Sequence, residues 1–251
     1  MPPSCLIVIP ARYASSRFPG KPLTLIAGAS LIERVYRRCL KIGENSEVVV
    51  GTDDPRILNH VKAFGGKVVL TRADHPSGTD RVAEVARRFR APLIVNVQGD
   101  EPLLEPKTVR QLIRLMKRKP RLEMATLCHP ISSDEEYLNP NAVKVVVNRR
   151  NEALYFSRAP IPHQRSPYPS IVKTGRIHRH IGIYAFRRSF LFQYVKWPQS
   201  FLEKAEQLEQ LRALENGARI GVIPTPCQAI GVDTPEDVAR VEAILRKDRK
   251  N

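Results

Sequence analysis

The sequence predicts an α/β protein whose central sheet is mostly parallel, and three observations lead to this class. The run CLIVIP, residues 5–10, is apolar without alternation, which is typical of a strand buried on both faces. Strand-like and helix-like segments then alternate as far as about residue 119, the pattern of a parallel sheet covered by helices. After about residue 123, strand-like runs with short connections predict a smaller antiparallel insertion, roughly 130–190, within a single domain, 1–251.

Capping residues mark the helix boundaries of the first half. Ser30 followed by Glu33 predicts a capping box, and Gly43 lies where that first helix would stop. Asp54 and Pro55 open a second helix, because proline suits the first helical position. The other predicted elements are strands at about 47–51 and 67–70, a helix at about 80–90, the apolar run 93–104, and a helix from Pro106 to about Lys119.

The sequence pattern of the second half predicts strands followed by helices. Thr234 and Asp237 form a predicted capping pair around the start of the closing helix at Pro235. The other predicted elements are strands within 123–131, 142–148, 153–158 and 179–187, helices at about 189–195 and 201–216, and a strand at about 219–223.

Composition limits the class of protein. Hydrophobic residues make up 42% and charged residues 26% of the 251, which is typical of a soluble globular chain. No apolar run approaches the roughly 20 residues needed to cross a bilayer, so no membrane insertion is expected. The cysteines, Cys5, Cys39, Cys128 and Cys227, form no metal-binding pair, and we expect them to be reduced in a cytoplasmic protein.

The net charge of +16 raises the question of nucleic-acid binding. The basic residues are spread along the chain, and no helix-turn-helix, zinc-finger or aromatic-rich basic segment accompanies them. We therefore expect no specific nucleic-acid partner. A basic polyanion-binding protein remains the alternative from a different functional class.

The loop PARYASSRFPGKPL, residues 10–23, follows the first strand and collects Arg12, Arg17 and Lys21. Ligands of open α/β sheets bind outside the carboxyl ends of the strands. Like charges are most easily held together when an anion lies between them. This loop therefore predicts an anion site, and a solvated basic loop is the alternative.

Two aspartates are candidates for a magnesium site. Asp100 is interpreted as following the end of the run 93–97 at once, with Gln98 two residues earlier able to recognise a base. Asp233 follows a short apolar run and precedes the closing helix. Mg²⁺ takes one or two carboxylates and fills its shell with substrate phosphates. Either aspartate could instead cap local backbone, and both alternatives remain open.

The segment TRADHPSGTDR, residues 71–81, also follows a predicted strand. Gly78 would allow backbone to approach a ligand closely, and Arg72 and Ser77 suit hydrogen bonds to a sugar or a base. Neither a P-loop nor a Gly-rich dinucleotide fingerprint occurs in the chain, which disfavours those nucleotide folds.

Several long motifs, in order, resemble one known family. They are IPARYASSRFPGKPL, TRADHPSGTDR, VNVQGDEPLL, NPNAVKVV, ALYFSRAPIP, RHIGIYAFR, LEQLRALENG and GVDTPEDV. Together they resemble the 3-deoxy-manno-octulosonate (Kdo) cytidylyltransferases over nearly the whole chain. The resemblance implies a nucleotide-diphosphosugar transferase-like three-layer fold, a homodimer, and the reaction of CTP with Kdo to give CMP-Kdo and pyrophosphate for lipopolysaccharide biosynthesis.

The resemblance also assigns residues. It implies Arg12, Ser15, Arg17 and Lys21 for the triphosphate, Arg72, Ser77, Gly78 and Gln98 for the cytidine, Asp100 and Asp233 for Mg²⁺, and Arg158, His180, Tyr184, Glu209 and Gln210 for the sugar acid. Of these, Arg12, Lys21, Asp100 and Asp233 are implied to be catalytic. A related enzyme for sialic acid or for an 8-amino analogue of Kdo is the nearest alternative. The loop 12–23 lacks the extra glycines of the sialic acid enzymes, whereas the amino analogue stays open.

Overall fold

The computed structural model describes residues 3–14, 18–165, 170–226 and 230–248. Two compact units divide the chain. Unit 1 comprises residues 1–110 and 229–251, and unit 2 comprises residues 111–228. The region predicted as an insertion, roughly 130–190, falls inside unit 2, and the single-domain organisation stays a prediction. No helix among the described residues is both long and apolar enough to span a membrane.

The described strands are β1 (Cys5–Ala11), β2 (Leu25–Ile26), β3 (Ala29–Ser30), β4 (Ser46–Thr52), β5 (Val68–Leu70), β6 (Leu93–Asn96), β7 (Met124–Pro130), β8 (Lys144–Val147), β9 (Ala153–Ser157), β10 (His178–Arg187) and β11 (Ile220–Pro224). All strands except the short pair β2–β3 lie close to their predicted positions.

The helices are α1 (Leu31–Leu40), α2 (Pro55–Ala63), α3 (Gly78–Arg87), α4 (Pro106–Arg118), α5 (Asp134–Leu138), α6 (Arg188–Tyr194), α7 (Phe201–Glu206), α8 (Gln210–Glu215) and α9 (Pro235–Asp248). Short 3-10 helices cover Lys21–Leu23 and Ile171–Thr174. The sequence patterns missed both 3-10 helices, the short pair β2–β3 and α5, because two to five residues carry too little periodicity to detect.

Unit 1 is built on a parallel sheet in the order β6-β1-β4-β5. Cys5 at the start of β1 lies opposite Ser46 of β4 and Leu93 of β6, so these strands run in register. Residues 5–9 of β1 are completely buried, as the unbroken apolar run predicts. The predicted α/β class with a mostly parallel sheet is confirmed, and the carboxyl ends of β1 and β6 meet at one edge.

Side-chain caps confirm the predicted starts of the first two helices of unit 1. The hydroxyl of Ser30 accepts from the N–H of Glu33, and the carboxylate of Asp54 accepts from the N–H of Arg56. The third helix begins at Gly78 rather than about residue 80, since Ser77 caps it by accepting from the N–H of Asp80.

Unit 2 combines parallel and antiparallel pairing. β11 runs parallel to β7, β7 is antiparallel to β10, and β8 is antiparallel to both β10 and β9. A register shift interrupts β10 between Ile181 and Tyr184. The hydroxyl of Thr126 lies 3.0 Å and 2.8 Å from the carbonyl oxygens of Ile181 and Ile183, where it stabilises the irregular backbone.

The single helix predicted at 201–216 is wrong, since two helices occupy this segment. Gln207 separates α7 from α8 in a left-handed conformation with φ 54°. The break allows Arg212 of α8 to form a buried double hydrogen bond with Glu203 of α7, at 2.6 Å and 2.7 Å. Gln207 is not a residue that signals a left-handed turn, so tertiary pairing rather than local propensity ends the first helix.

Replacing Glu203 with glutamine should destabilise the protein strongly. The change leaves the guanidinium of Arg212, only 4% exposed, without a carboxylate, and breaking a buried ion pair costs about 3–5 kcal/mol. Urea unfolding measures the loss. The matched control is Arg37→Gln, which breaks an exposed helical pair and should cost about 0.3–0.5 kcal/mol. Equal losses in the two variants would contradict a structural role for the buried pair.

Candidate active site

Arg12 follows β1 directly and is anchored by backbone. Its Nη2 donates to the carbonyl oxygen of His75 at 2.6 Å, which ties the loop after β1 to the loop before α3. Two further residues assigned to the triphosphate, Ser15 and Arg17, lie outside the described residues. The role of the triphosphate residues stays a prediction.

Lys21 begins the 3-10 helix that closes the same loop. Gly20 precedes it with φ 72°, and a Cβ at that position would lie 3.2 Å from the ring of Tyr13. Only glycine adopts this conformation without strain. Pro22 then restricts the backbone further, so the position of Lys21 is set by rigid neighbours on both sides.

The ammonium group of Lys21 brings two distant carboxylates to one point. Its Nζ lies 2.8 Å from Oδ2 of Asp100 and 3.3 Å from Oδ1 of Asp233. The lysine side chain is 15% exposed, compared with 31% for Asp100 and 54% for Asp233, so the cluster opens toward solvent on its acidic side. The two aspartates that the sequence proposed for a single site therefore share one cation.

The placement of Asp100 directly at the end of the strand is wrong. Strand β6 ends at Asn96, and Asp100 lies four residues further along in a loop. A Cβ on Gly99 would lie 2.9 Å from the carbonyl oxygen of Pro10, so only glycine lets this loop pass so close to the end of β1. Close approach of two backbones, rather than the strand end itself, brings Asp100 to the lysine.

Asp233 is held in place by its backbone. The carbonyl oxygen of Asp100 accepts from the N–H of Val232 at 2.9 Å, which joins the two acidic loops. The N–H groups of Asp233 and Thr234 donate to the carboxylate of Asp237, at 2.9 Å and 3.0 Å. Asp237 therefore accepts the hydrogen bonds of these backbone N–H groups at the start of α9. The carboxylate of Asp233 lies beside Lys21.

These two carboxylates suit a magnesium ion. Their oxygens already surround a positive charge, that of Lys21, and oxygen ligands are the type that Mg²⁺ prefers. Among the described residues no group of three or more histidine, cysteine or acidic side chains is placed to hold a metal by itself. A cation bound here would need further ligands, which a nucleotide triphosphate can supply.

The residues proposed for the cytidine lie around the start of α3 and the loop after β6. Ser77 is occupied as the cap of α3, and its hydroxyl donates to the carboxylate of Asp80 at 2.7 Å. Gly78 is the first residue of the helix and packs near Pro10. The guanidinium of Arg72 is exposed beside Asp74, and Gln98 lies two residues beyond β6. Their role in binding the base stays a prediction.

Glu84 and His75 connect Arg72 to Arg12, and the sequence patterns did not indicate either of these two linking residues. The carboxylate of Glu84 accepts from the N–H of Arg72 at 3.1 Å and is hydrogen-bonded to the ring of His75, whose carbonyl oxygen holds Arg12. Burial alone would raise the pKa of Glu84, but these hydrogen bonds hold it below its usual value. A lone glutamate inside a helix carries no motif, so only the fold reveals this link.

Unit 2 carries the residues assigned to the sugar acid. The guanidinium of Arg158 donates to three backbone carbonyls, those of Glu206 at 2.8 Å, Pro140 at 3.2 Å and Gln207 at 3.4 Å. The turn between α7 and α8 therefore positions this arginine. Its proposed contact with a carboxylate stays a prediction, and it would need to exchange or share these partners.

Tyr184 is buried and lies beside the polar side chains of Gln210 and His180. Its hydroxyl donates to Oε1 of Gln210 at 3.0 Å, and the ring of His180 lies 5.4 Å away. Burial lowers the pKa of His180 to about 3, and burial together with the charge of Glu209 raises the pKa of Tyr184, so both rings are neutral. The Nε2 atom of Gln210 is buried and has no acceptor among the described residues, which leaves a donor for a ligand.

Comparison with known proteins identifies the family. Residues 6–220 match the family described as cytidylyltransferase. A 3-deoxy-manno-octulosonate cytidylyltransferase of Syntrophotalea carbinolica is 53% identical to this chain. The match spans 97% of this chain and 99% of the relative. The enzyme of the same name from Escherichia coli is 48% identical, over 96% of its length and 97% of this chain.

Solved structures agree with this result. The structure described as CMP:2-keto-3-deoxy-manno-octonic acid synthetase complexed with CTP is 48% identical, with a TM-score of 0.90 over 97% of this chain and 99% of its own. A cytidylyltransferase from Leptospira borgpetersenii, with a TM-score of 0.66 over 98% of this chain and 87% of its own, is only 17% identical and supports the fold alone. This chain therefore belongs to the cytidylyltransferase family, among the 3-deoxy-manno-octulosonate cytidylyltransferases.

Proposed function

We propose that this chain transfers the cytidylyl group of CTP to Kdo, which releases pyrophosphate. The observation that carries the proposal is the convergence of Lys21, Asp100 and Asp233 next to the loop that follows β1. The high identity to relatives of that name, over nearly the whole length of both chains, supports the same reaction.

The reaction needs positioning and charge neutralisation more than covalent chemistry. The anomeric oxygen of the sugar forms a bond to the α-phosphorus, the bond between that phosphorus and the bridging oxygen breaks, and pyrophosphate leaves with the electron pair. The hydroxyl proton passes to solvent. Arg12 and Lys21 would hold the phosphate oxygens, on which negative charge accumulates as pyrophosphate departs.

We propose Mg²⁺ as the cofactor, held by Asp100 and Asp233. When bound, such an ion neutralises phosphate charge and lowers the pKa of the attacking hydroxyl. In this structure the ammonium group of Lys21 contacts both carboxylates. Once nucleotide and metal bind, it would leave the carboxylates to the metal and bind phosphate oxygens instead.

The sugar acid is proposed to bind in unit 2. Neutral His180 and Tyr184 suit hydrogen bonds to sugar hydroxyls, and the unsatisfied amide of Gln210 supplies a further donor. Arg158 and Glu209 complete the proposed set, with the guanidinium suited to a carboxylate. An 8-amino analogue of Kdo is the alternative substrate.

We further propose a cytoplasmic homodimer that acts in lipopolysaccharide biosynthesis, as the family resemblance implies. The described cysteines, Cys5, Cys39 and Cys128, are buried free thiols, in keeping with a reducing compartment. Burial raises the pKa of Cys128 to about 12, so this thiol stays protonated and unreactive.

Release of pyrophosphate from CTP tests the proposed reaction. We expect turnover with Kdo and Mg²⁺, little with sialic acid, and little when ATP replaces CTP at a matched concentration, because a purine would fit the base site poorly. An 8-amino sugar run in parallel decides between the two close substrates. Comparable rates with ATP would contradict cytosine selectivity, and no release with any sugar acid would contradict the reaction.

Glu84→Gln should weaken nucleotide binding more than it slows the chemical step. The neutral amide holds His75 and Arg72 less firmly, so Arg12 loses part of its support. Losing a charge-assisted hydrogen bond of about 1.5–3 kcal/mol should raise KM for CTP roughly 10-fold or more, with a smaller change in kcat. Glu47→Gln, which breaks an exposed pair with Lys67, is the control and should leave both constants unchanged. A fall in kcat alone would contradict a positioning role.

A further inference from the structure

A cleft in unit 2 lies among residues that the proposed reaction does not use. It measures about 360 Å³ and is bordered by the last turns of α4, the turn at 150–152 between β8 and β9, and β11. A second cavity of about 310 Å³ adjoins it and shares Arg118, Lys119, Leu122, Arg150 and Glu152. These volumes are in the range of small-molecule sites, roughly 300–1,000 Å³.

The floor of the cleft is apolar and rigid. Leu115 and Ile223, both half-buried, and the exposed Pro224 line it beside Gly221. A Cβ on Gly221 would lie 2.7 Å from Leu122 and 3.1 Å from Leu115, so the floor is close-packed and a side chain there would disrupt it. This floor offers a fixed apolar surface to a ligand.

The rim is basic. Arg118, Lys119, Arg121, Arg150 and Arg219 border the two cavities, and Glu152 is the acidic residue among their described lining residues. No hydrogen bond or ion pair is formed by the side chains of these five cations in the described part of the chain. Three separate segments thus place like charges around one cleft, which is unfavourable unless an anion offsets the repulsion.

The end of α4 does not account for these charges. Cations often sit at a helix C-terminus to satisfy its free carbonyl oxygens. Here Arg187 takes that role, since its Nη2 donates to Met116 and Lys119 at 2.9 Å and 3.0 Å, and its Nε donates to Leu122 at 2.8 Å. Arg118 and Lys119 are therefore available for a ligand.

We propose that this cleft is a second anion site, for a small organic molecule that carries a phosphate chain. Four of the five cations are arginines, whose planar guanidinium groups bind phosphate oxygens in pairs. The phosphate chain would lie on the basic rim, and the organic part would cover the floor formed by Leu115, Ile223 and Pro224. The residues that line the two cavities all belong to unit 2, whereas Lys21 and the two aspartates beside it belong to unit 1.

Titration with inorganic pyrophosphate and with ATP tests this proposal in the full chain. The variant Arg118→Gln/Arg150→Gln removes two charges from the rim, and Lys62→Gln/Arg90→Gln removes two exposed charges elsewhere. Since Lys21 is also proposed to bind pyrophosphate, calorimetry is carried out in the Lys21→Ala background. There the rim change should weaken the affinity for both probes at least tenfold, and the control change less than twofold. Each substituted side chain is exposed, so the melting temperature should not move.

Amide shifts in a two-dimensional NMR spectrum locate the binding. ATP should shift the amides of Asn151 and Gly221 in the wild type and not in the rim variant, and pyrophosphate should shift them less because it leaves the floor uncovered. Equal weakening in the rim variant and the control would overturn the proposal in favour of general attraction to a basic chain. Shifts confined to the residues around Lys21 would overturn it as well, whether or not the cytidylyl transfer is found.

Discussion

Replacing Lys21 with alanine should lower kcat/KM by two to three orders of magnitude, a loss of roughly 3–4 kcal/mol in transition-state stabilisation. The ammonium group is positioned by Gly20 and Pro22, and in this structure it lies within 2.8 Å and 3.3 Å of the two site carboxylates. In the reaction it would hold the phosphate charge that grows on the leaving pyrophosphate. Initial rates of pyrophosphate release with CTP and Kdo measure the effect.

The same variant should bind divalent cations more tightly in the absence of nucleotide. Without the ammonium group, Asp100 and Asp233 lose their shared positive partner, and their mutual repulsion favours any cation that replaces it. Calorimetric titration with Mg²⁺ tests this without relying on activity. Lys41→Ala, an exposed lysine of unit 1, serves as the control for both measurements. Activity within threefold of wild type would rule out the phosphate role of Lys21.

Asp233→Asn should raise the Mg²⁺ concentration needed for half-maximal rate and lower kcat, with little change in the melting temperature without ligand. The substitution removes an anionic oxygen and keeps the shape of the side chain. Asp100→Asn should behave alike. The double variant should be scarcely worse than the worse single one, because residues that act as a unit are not additive. Titration of Mg²⁺ against initial rate measures these effects.

A capping residue provides the contrast for this experiment. Asp54 caps α2 by accepting from the N–H of Arg56, so Asp54→Ala should cost about 1 kcal/mol of stability and leave the Mg²⁺ dependence unchanged. If Asp233 only capped α9, its asparagine variant would be silent, since asparagine caps as well as aspartate. An unchanged rate and an unchanged Mg²⁺ dependence in Asp233→Asn would therefore exclude the metal role.

The sequence by itself determined the features that depend on short stretches of chain. The apolar run of β1, the caps at Ser30 and Asp54, and the proline at the start of α2 were all predictable, because each acts through residues within about four positions. The family was also predictable, since several long motifs occur in order along the chain. The basic loop and the two aspartates entered the candidate site because each follows an apolar, strand-like run, and the family motifs include them as well.

Only the tertiary structure decided how these residues meet. Asp100 is 79 positions from Lys21 and Asp233 is 212 positions from it, and they meet because Gly99 passes close to the end of β1. The link from Glu84 through His75 to Arg12 and the break at Gln207 have no local pattern either. Local propensity is worth tenths of a kcal/mol per residue, whereas one buried ion pair such as Arg212 with Glu203 costs several kcal/mol to break, so packing overrides the helix signal there.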